Sequence, residues 1–468
     1  MKFSIGLTIA AAMVGLIAVL LVGRLLLQPS RDLIENAAFD RAGITPNADG
    51  EDDIAIFRYS LSANANISLV FTGSDGTAYT FRSDEERIPT DYTVPFSGVV
   101  DGYVVSGEAM TNVVERRLLP NDTYTWMLSA VDSEGRAQDV TGSLVVAEAD
   151  VALPIISIFS VGPRVFSPNQ DGIADRVNIE VYLEKAASLR VFLRDNEGNE
   201  IPISARKEGR LEGEAGRHGF DYEGGVDLGA DPPADGMYDV FAVAQDAEGQ
   251  RVVAQSTLTI ESGGKPLAEI APQYVGVDVV FDVRPYEERF VSTLNTIGDP
   301  VEPPDDAQDL ALTAITMPIG DMLVFKLTVE NYNDVPIRTT YPPPGTVYQQ
   351  DQTTASLKMY DSPGAWRVGI QCETSTVPFP YRWALGSEED LLAIPDPATG
   401  DLYYYVPAKT RVIVWGAVRF TEIEQRQNPQ NCWAGLIQEE VEVSLRNSYV
   451  GAREIELVDP SANKGEGG

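Results

Sequence analysis

Two short stretches of this 468-residue sequence carry oxygen-bearing side chains at spacings that suit a hard cation. In Thr45-Pro46-Asn47-Ala48-Asp49-Gly50-Glu51-Asp52-Asp53, set against the calcium loop of an EF-hand, Asn47 and Asp49 fall on alternate ligand positions. Gly50 then falls on the sharp turn and Asp53 on a later ligand position. In Ser167-Pro168-Asn169-Gln170-Asp171-Gly172-Ile173-Ala174-Asp175, the residues Asn169, Asp171, Gly172 and Asp175 do the same. The pattern lacks both ends: Thr45 or Ser167 holds the first ligand position, and Ile56 or Asn178 stands where a bidentate Glu belongs. The same residues also suit an Asx turn, in which Asn and Asp accept bonds from nearby amides and Gly takes a positive φ. Ca2+ ligand and turn former both stay open at this point.

Other chemistry is thinner. The sequence has two cysteines, Cys372 and Cys432, with no C-x-x-C spacing. A nucleophilic cysteine needs a nearby base, and the single histidine, His218, belongs to a different segment. Outside the cytoplasm the two thiols most simply form one disulfide, the alternative being buried free thiols. Such a bond would contribute up to roughly 4 kcal/mol in the chain-entropy model. One histidine also excludes His-rich zinc sites. Among the 70 Asp and Glu residues no motif isolates an acid pair for glycoside hydrolysis, so the sequence reads as non-enzymatic. Gly263-Gly264-Lys265 is no phosphate loop, because Pro266 follows and the glycine spacing is wrong. The C-terminal third is rich in aromatics. Trp366 and Trp383 could lead an exposed platform that stacks on sugar rings or anchors a protein; the alternative places them in a core. Lys and Arg total 35, giving a net charge of −35 and no basic excess for nucleic acid.

The elements that position these residues read as strands. The loop Thr45–Asp53 recurs as Ser167–Asp175, shifted by 122 positions, and the register then holds. Phe57, Tyr59 and Leu61 fall on Ile179, Val181 and Leu183; Ile67, Leu69 and Phe71 fall on Leu189, Val191 and Leu193. Alternation of this kind gives strands with one buried face. Asp75-Gly76 and Glu197-Gly198 mark turns after the second strand. Further on, at an offset of 114, Tyr124-x-Trp126-x-Leu128-x-Ala130-x-Asp132-x-Glu134-Gly135 matches the stretch Tyr238 to Gly249. The first copy therefore carries an insertion around Asp101 to Arg117. Residues 262–272 read as a linker, and a third unit beyond it alternates in Leu323-Phe325-Leu327-Val329, Val412-Val414 and Val441-Val443-Leu445.

The Ser/Thr-Pro-Asn-x-Asp-Gly opening, the aromatic-x-Gly of Phe96-Ser97-Gly98 and Tyr222-Glu223-Gly224, and the closing Asp235-Gly236-Met237-Tyr238 have a known counterpart. They resemble the Ig-like domain of flagellar hook-capping proteins and the C-terminal domains of gliding-motility-associated surface proteins. The third unit, through Val329 to Ile337, Pro344 to Tyr348 and Val406 to Gly416, loosely resembles the intracellular proteinase inhibitor family, another Ig-like sandwich. The resemblance of the first two units implies extracytoplasmic modules that space, dock or adhere, and no catalysis; that of the third unit implies the fold alone.

At the N-terminus, Phe3 to Gly23 contains no charge. As a helix its 21 residues would span about 31 Å, enough for a bilayer core. The expected fold class is all-β: three Ig-like β-sandwich domains after one N-terminal transmembrane helix. The units are a signal anchor at 1–30, sandwiches at 31–150, 151–262 and 273–458, and a disordered tail at 459–468. The expected function is a structural or interaction protein of the cell envelope or a surface appendage, anchored in the cytoplasmic membrane with its bulk outside. Its expected partners are the membrane and an envelope protein, with polysaccharide as an alternative and nucleic acid excluded. A carbohydrate-binding adhesin and a proteinase inhibitor are the competing functions.

Overall fold

The computed structural model describes residues 5–26, 31–105, 107–206, 213–306, 314–360, 362–396 and 400–461. Apart from helix α1 (Ile5–Leu26) and a few single-turn 3-10 segments, its regular elements are strands. The alternation that predicts them also orients them. Phe57, Tyr59 and Leu61 are buried along the strand Ala55–Leu61, as are Ile179, Val181 and Leu183 along Val177–Leu183.

In the first sandwich, strands Ile34–Phe39, Ala55–Leu61 and Asp91–Phe96 form one sheet. Strands Gly43–Ile44, Ala137–Val146, Asp122–Asp132, Ala65–Thr72 and Ala78–Arg87 form the facing one. Phe57, Phe71, Phe96 and Trp126 fill the space between them, with Phe71 and Phe96 stacked at 4.6 Å between centroids. The second sandwich repeats this plan, with Ile156–Gly162, Val177–Leu183 and Gly216–Tyr222 facing a sheet that includes Ser188–Arg194, Gly236–Gln245 and Arg251–Ile260. Each sandwich has a tyrosine corner, a phenol bonded back to the backbone a few residues upstream. Tyr124 Oη donates to Pro120 O and Tyr238 Oη to Ala234 O, both at 2.8 Å. A third core lies between a sheet built on Met322–Asn331 and Arg411–Arg419 and a larger one built on Trp366–Cys372 and Gln430–Gln438.

The insertion expected in the first copy is present, and two other expectations need correction. The insertion in the first copy is a hairpin, Val99–Asp101 with Val113–Leu118, and it adds to the second sandwich's sheet. Val113 lies opposite Val253, and Arg116 opposite Arg251. The linker 262–272 is shorter than expected, since Ala268–Ile270 is already a strand paired with Met322–Asn331. Val441, Val443 and Leu445 form no buried strand; all three are exposed, because only Glu442–Val443 pairs there.

The expected anchor and tail lie partly outside the described residues: 1–4, 27–30 and 462–468. Side chains are described for only part of α1, and among the described residues no helix is long and apolar enough to cross a membrane.

Candidate functional site: the joints between sandwiches

The two Pro-Asn-x-Asp-Gly loops share one backbone conformation, with positive φ at Ala48, Gly50 and Asp52 and again at Gln170, Gly172 and Ala174. In the first, the Asp53 carboxylate accepts bonds from the amides of Asn47, Ala48 and Gly50 at 3.0, 2.9 and 2.8 Å. Asn47 Oδ1 accepts from Asp49 N, and Asp49 Oδ1 from Glu51 N. In the second, Asp175 accepts from Asn169, Asp171 and Gly172, Asn169 Oδ1 from Asp171 N, and Asp171 Oδ1 from Ile173 N. The hydroxyls at the first ligand position face the chain as well: Thr45 Oγ1 donates to Glu51 O at 3.0 Å and Ser167 Oγ to Ile173 O at 3.1 Å.

These oxygens serve amides rather than converging on an ion. Among the described residues no group of three or more His, Cys, Asp or Glu side chains could hold a metal. In this arrangement the Asn and Asp oxygens are spent on amides of their own loop, which is the geometry of the Asx turn.

What separates the loops is their surroundings. The first is largely exposed, beside a cleft lined by Gly50, Asp53 and Ile54 on one side and by Ala247 and Glu248 of the second sandwich on the other. The second is pressed into the third sandwich, where Asn169 and Asp171 are each only 7% exposed. Tyr405 Oη donates to Asp171 Oδ2 at 3.1 Å, and Gln438 Nε2 donates to Gln170 O at 2.7 Å. The backbones meet through glycine. A Cβ on Gly364 would sit 2.3 Å from the Asp171 carbonyl carbon, and one on Gly172 would sit 2.0 Å from Pro363 O. Arg338 flanks the contact and donates to Ser362 Oγ at 3.1 Å and to Pro363 O.

Electrostatics follow burial. Loss of solvent pushes Asp171 above the usual carboxylate range, against the pull of the Ile173 amide, Arg338 and Tyr405. Loss of solvent and then the Asp171 charge push Asp175 up to about 6. Asp53 in the exposed loop goes the other way. Desolvation opposes, but the Gly50, Asn47 and Ala48 amides hold it below the ordinary value.

The first joint is built differently. Gln250, fully buried, accepts from Leu118 N in the crossing hairpin at 3.3 Å. Its Nε2 donates to Asp150 O, Ala152 O and Asp246 Oδ2 at 3.0, 2.9 and 2.9 Å. Lys185 pairs with Asp150, Asp246 and Glu248 at 2.9–3.0 Å. Burial would lower this ammonium, but the three carboxylates outweigh it and raise its pKa.

Trp366 and Trp383 require a correction. They are 4% and 0% exposed, so neither belongs to a surface platform. Trp383 packs edge-on to Phe325 with its Nε1 donating to Thr346 O at 2.9 Å, inside the third core. Cys372 and Cys432 do form a disulfide, between directly opposed residues of neighbouring strands.

No family model matches the chain, and no curated protein does. Solved structures with partial likeness include a Ca2+-stabilised adhesin with which an Antarctic bacterium binds ice, at 10% identity over 89% of this chain and 85% of that one, with a TM-score of 0.20. A tetra-tandem repeat from the extending region of a large adhesion protein shares 14% identity over 90% of this chain and 98% of that one, with a TM-score of 0.16. Native E. coli alpha-2-macroglobulin shares 9% identity over 92% of this chain but only 23% of its own length, with a TM-score of 0.17. Scores this low carry no argument, and the all-β class stands on the strand pairing itself. The hook-capping and proteinase-inhibitor resemblances gain no support from these comparisons.

Sequence reasoning missed Tyr405, Arg338, Gln438, Gln250 and Lys185. The one available signal for the first joint was the drop in repeat offset from 122 to 114, which marks the extra residues that became the crossing hairpin.

Proposed function

We propose that the chain is a structural or interaction protein of the cell envelope. In this reading its three Ig-like sandwiches form a stiff extracytoplasmic arm, and the apolar segment Phe3–Gly23 holds it at the cytoplasmic membrane. One observation carries the reading: the hairpin Val99–Asp101/Val113–Leu118, whose Val100 stays buried in the first core, extends the sheet of the next sandwich. Sandwiches joined only by a linker reorient freely. Two joined by strand pairing cannot rotate without breaking a ladder and exposing its amides. The loop contact through Asp171 and Gln170 restrains the next junction in the same sense. A stiff arm fixes the distance between an anchor and whatever its far end meets, which suits spacing and presentation and asks nothing of catalysis. The anchor reading draws on the uncharged run Phe3–Gly23 in the sequence and on the exposure of Ile9, Met13, Leu16 and Leu20 along α1.

The test uses the full chain in membranes, spin-labelled in the Asp75-Gly76 and Glu197-Gly198 turns. A single narrow distance between labels, with the protein resisting carbonate extraction, is the expected result. A broad distance distribution, or quantitative release by carbonate, would overturn the stiff, anchored arm.

A further inference from the structure

The internal repeat lets one sandwich serve as a template for the other. In the second, the crossing hairpin pairs with Arg251–Val253 at the start of the last strand. The 114-residue offset places Ala137, Gln138 and Asp139 of the first sandwich at those positions, at the start of Ala137–Val146.

That strand has the same neighbours as its counterpart, except one. Its inner side pairs along its whole length with Asp122–Asp132. On its outer side, Val145 and Val146 meet Gly43 and Ile44, as Thr259 and Ile260 meet Val165 and Phe166. Val145 N donates to Ala42 O and Ala147 N to Ile44 O, so the backbone groups of odd-numbered residues point outward. Strand alternation then aims the N–H and C=O of Ala137, Asp139 and Thr141 at the same open side. All three residues are exposed, and no strand pairs with them there among the described residues.

Edges of this kind are normally blunted. The long edge Ala78–Arg87 is broken by register shifts and crowded with Arg82, Asp84, Glu85, Glu86 and Arg87. Residues Ala137–Thr141 pair in unbroken register and contain no proline; the one charge is Asp139. The position equivalent to Asp139 is Val253, which meets Val113 in the cis pairing. Exchanging an apolar residue for a carboxylate changes what the edge accepts from an apolar strand to one with a cation opposite. A chain of net charge −35 attracts such a segment over longer range as well.

We propose that Ala137–Thr141 is a docking edge for an extended, basic segment of another protein, added antiparallel with Lys or Arg opposite Asp139. The chain's own hairpin cannot serve, since it is held on the second sandwich. The proposal rests on the interaction role above and names the chemistry of its partner.

The probe is the fluorescein-labelled peptide Lys-Thr-Val-Lys-Val-Thr-Lys, titrated by anisotropy into the full chain in detergent up to about 1 mM, the weak range suited to so short a strand. Saturable binding is expected, with slowed hydrogen exchange at the Ala137, Asp139 and Thr141 amides. Asp139→Lys should weaken binding roughly tenfold by reversing the local charge. Thr141→Pro should abolish it, and where that variant melts early the Asp139→Lys result decides. A peptide with alternate amides N-methylated should not bind. Absence of saturable binding would overturn the proposal. So would equal binding of the N-methylated peptide or of a Glu-for-Lys peptide. A stiff arm that ignores the peptide would retire the docking edge and leave the envelope role standing.

Discussion

Tyr405 Oη lies 3.1 Å from Asp171 Oδ2, and the two residues belong to different sandwiches. A loop that in the first repeat satisfies its carboxylates with its own amides is here completed by a side chain from the next module. Tyr405 is itself buried, and loss of solvent, then the Asp171 charge, raise its phenol pKa, so the proton stays on Tyr405 and the carboxylate accepts. One sequence motif thus makes a free turn at one junction and a sealed contact at the other.

Removing that donor should loosen the second joint alone. Tyr405→Phe keeps the ring and leaves Asp171 short of one partner in a buried setting, at a cost of about 1–3 kcal/mol. Hydrogen exchange at Gln170–Ile173 should accelerate accordingly, while the Asn47–Glu51 amides remain unchanged. Equal acceleration in both loops would show that the phenol acts through global stability rather than at the joint.

The joint also carries a pH dependence of definite sign. Asp175 titrates near 6 in the folded chain because burial, then the Asp171 charge, disfavour its anion. Unfolded, it returns to about 3.9. The folded state therefore holds the extra proton between those values. Its contribution is complete below the unfolded pKa and is lost as pH rises through about 6. The interval is worth on the order of 2–3 kcal/mol, with the proton shared between Asp171 and Asp175. In urea unfolding of the second sandwich, Asp175→Asn should be more costly at pH 4.5 than at pH 7.5 relative to the native chain. A stability difference that stays flat across that range would refute the assignment.

Much of the first two sandwiches is legible in the sequence because their strands bury one face and solvate the other. The alternation of Phe57, Tyr59 and Leu61 is a direct image of that burial. The turns at Gly76 and Gly198, both at positive φ, are equally local. The crossing hairpin is not local. Val113 pairs with Val253, and nothing in the pattern of either segment names the other. The same holds for the sealed loop: Asn169 and Asp171 have the composition of an exposed turn, and burial comes from Gly364 and Tyr405, far along the chain. Trp366 and Trp383 were ambiguous for a different reason. An aromatic at alternate strand positions looks the same whether its sheet face meets water or a second sheet.

Since Trp383 fills the third core, its truncation is a packing defect before it is anything else. Trp383→Ala should destabilise the third sandwich by about 3–5 kcal/mol, adding the loss of the indole bond to Thr346 O to the cavity. The first sandwich should unfold at its native midpoint. Loss of glycan binding in a variant that still melts normally would instead mean that the indole is reachable from solvent.

The last prediction separates an ion cage from a turn. The carboxylates of Asp53 and Asp175 each accept three backbone amides, and Thr45 and Ser167 spend their hydroxyl protons on carbonyls across the loop. A cation entering either loop would have to displace those bonds with no bidentate Glu in return. Calcium and magnesium at equal ionic strength should therefore raise the melting temperature equally, through screening of the −35 charge alone. The double substitution Asp171→Asn with Asp175→Asn keeps Asx-turn acceptors and should leave the ion response unchanged. Binding at a hundred times the dissociation constant would add about 2.7 kcal/mol per site. A calcium-specific shift of that order, removed by the double substitution, would show that the loops rearrange to take the ion.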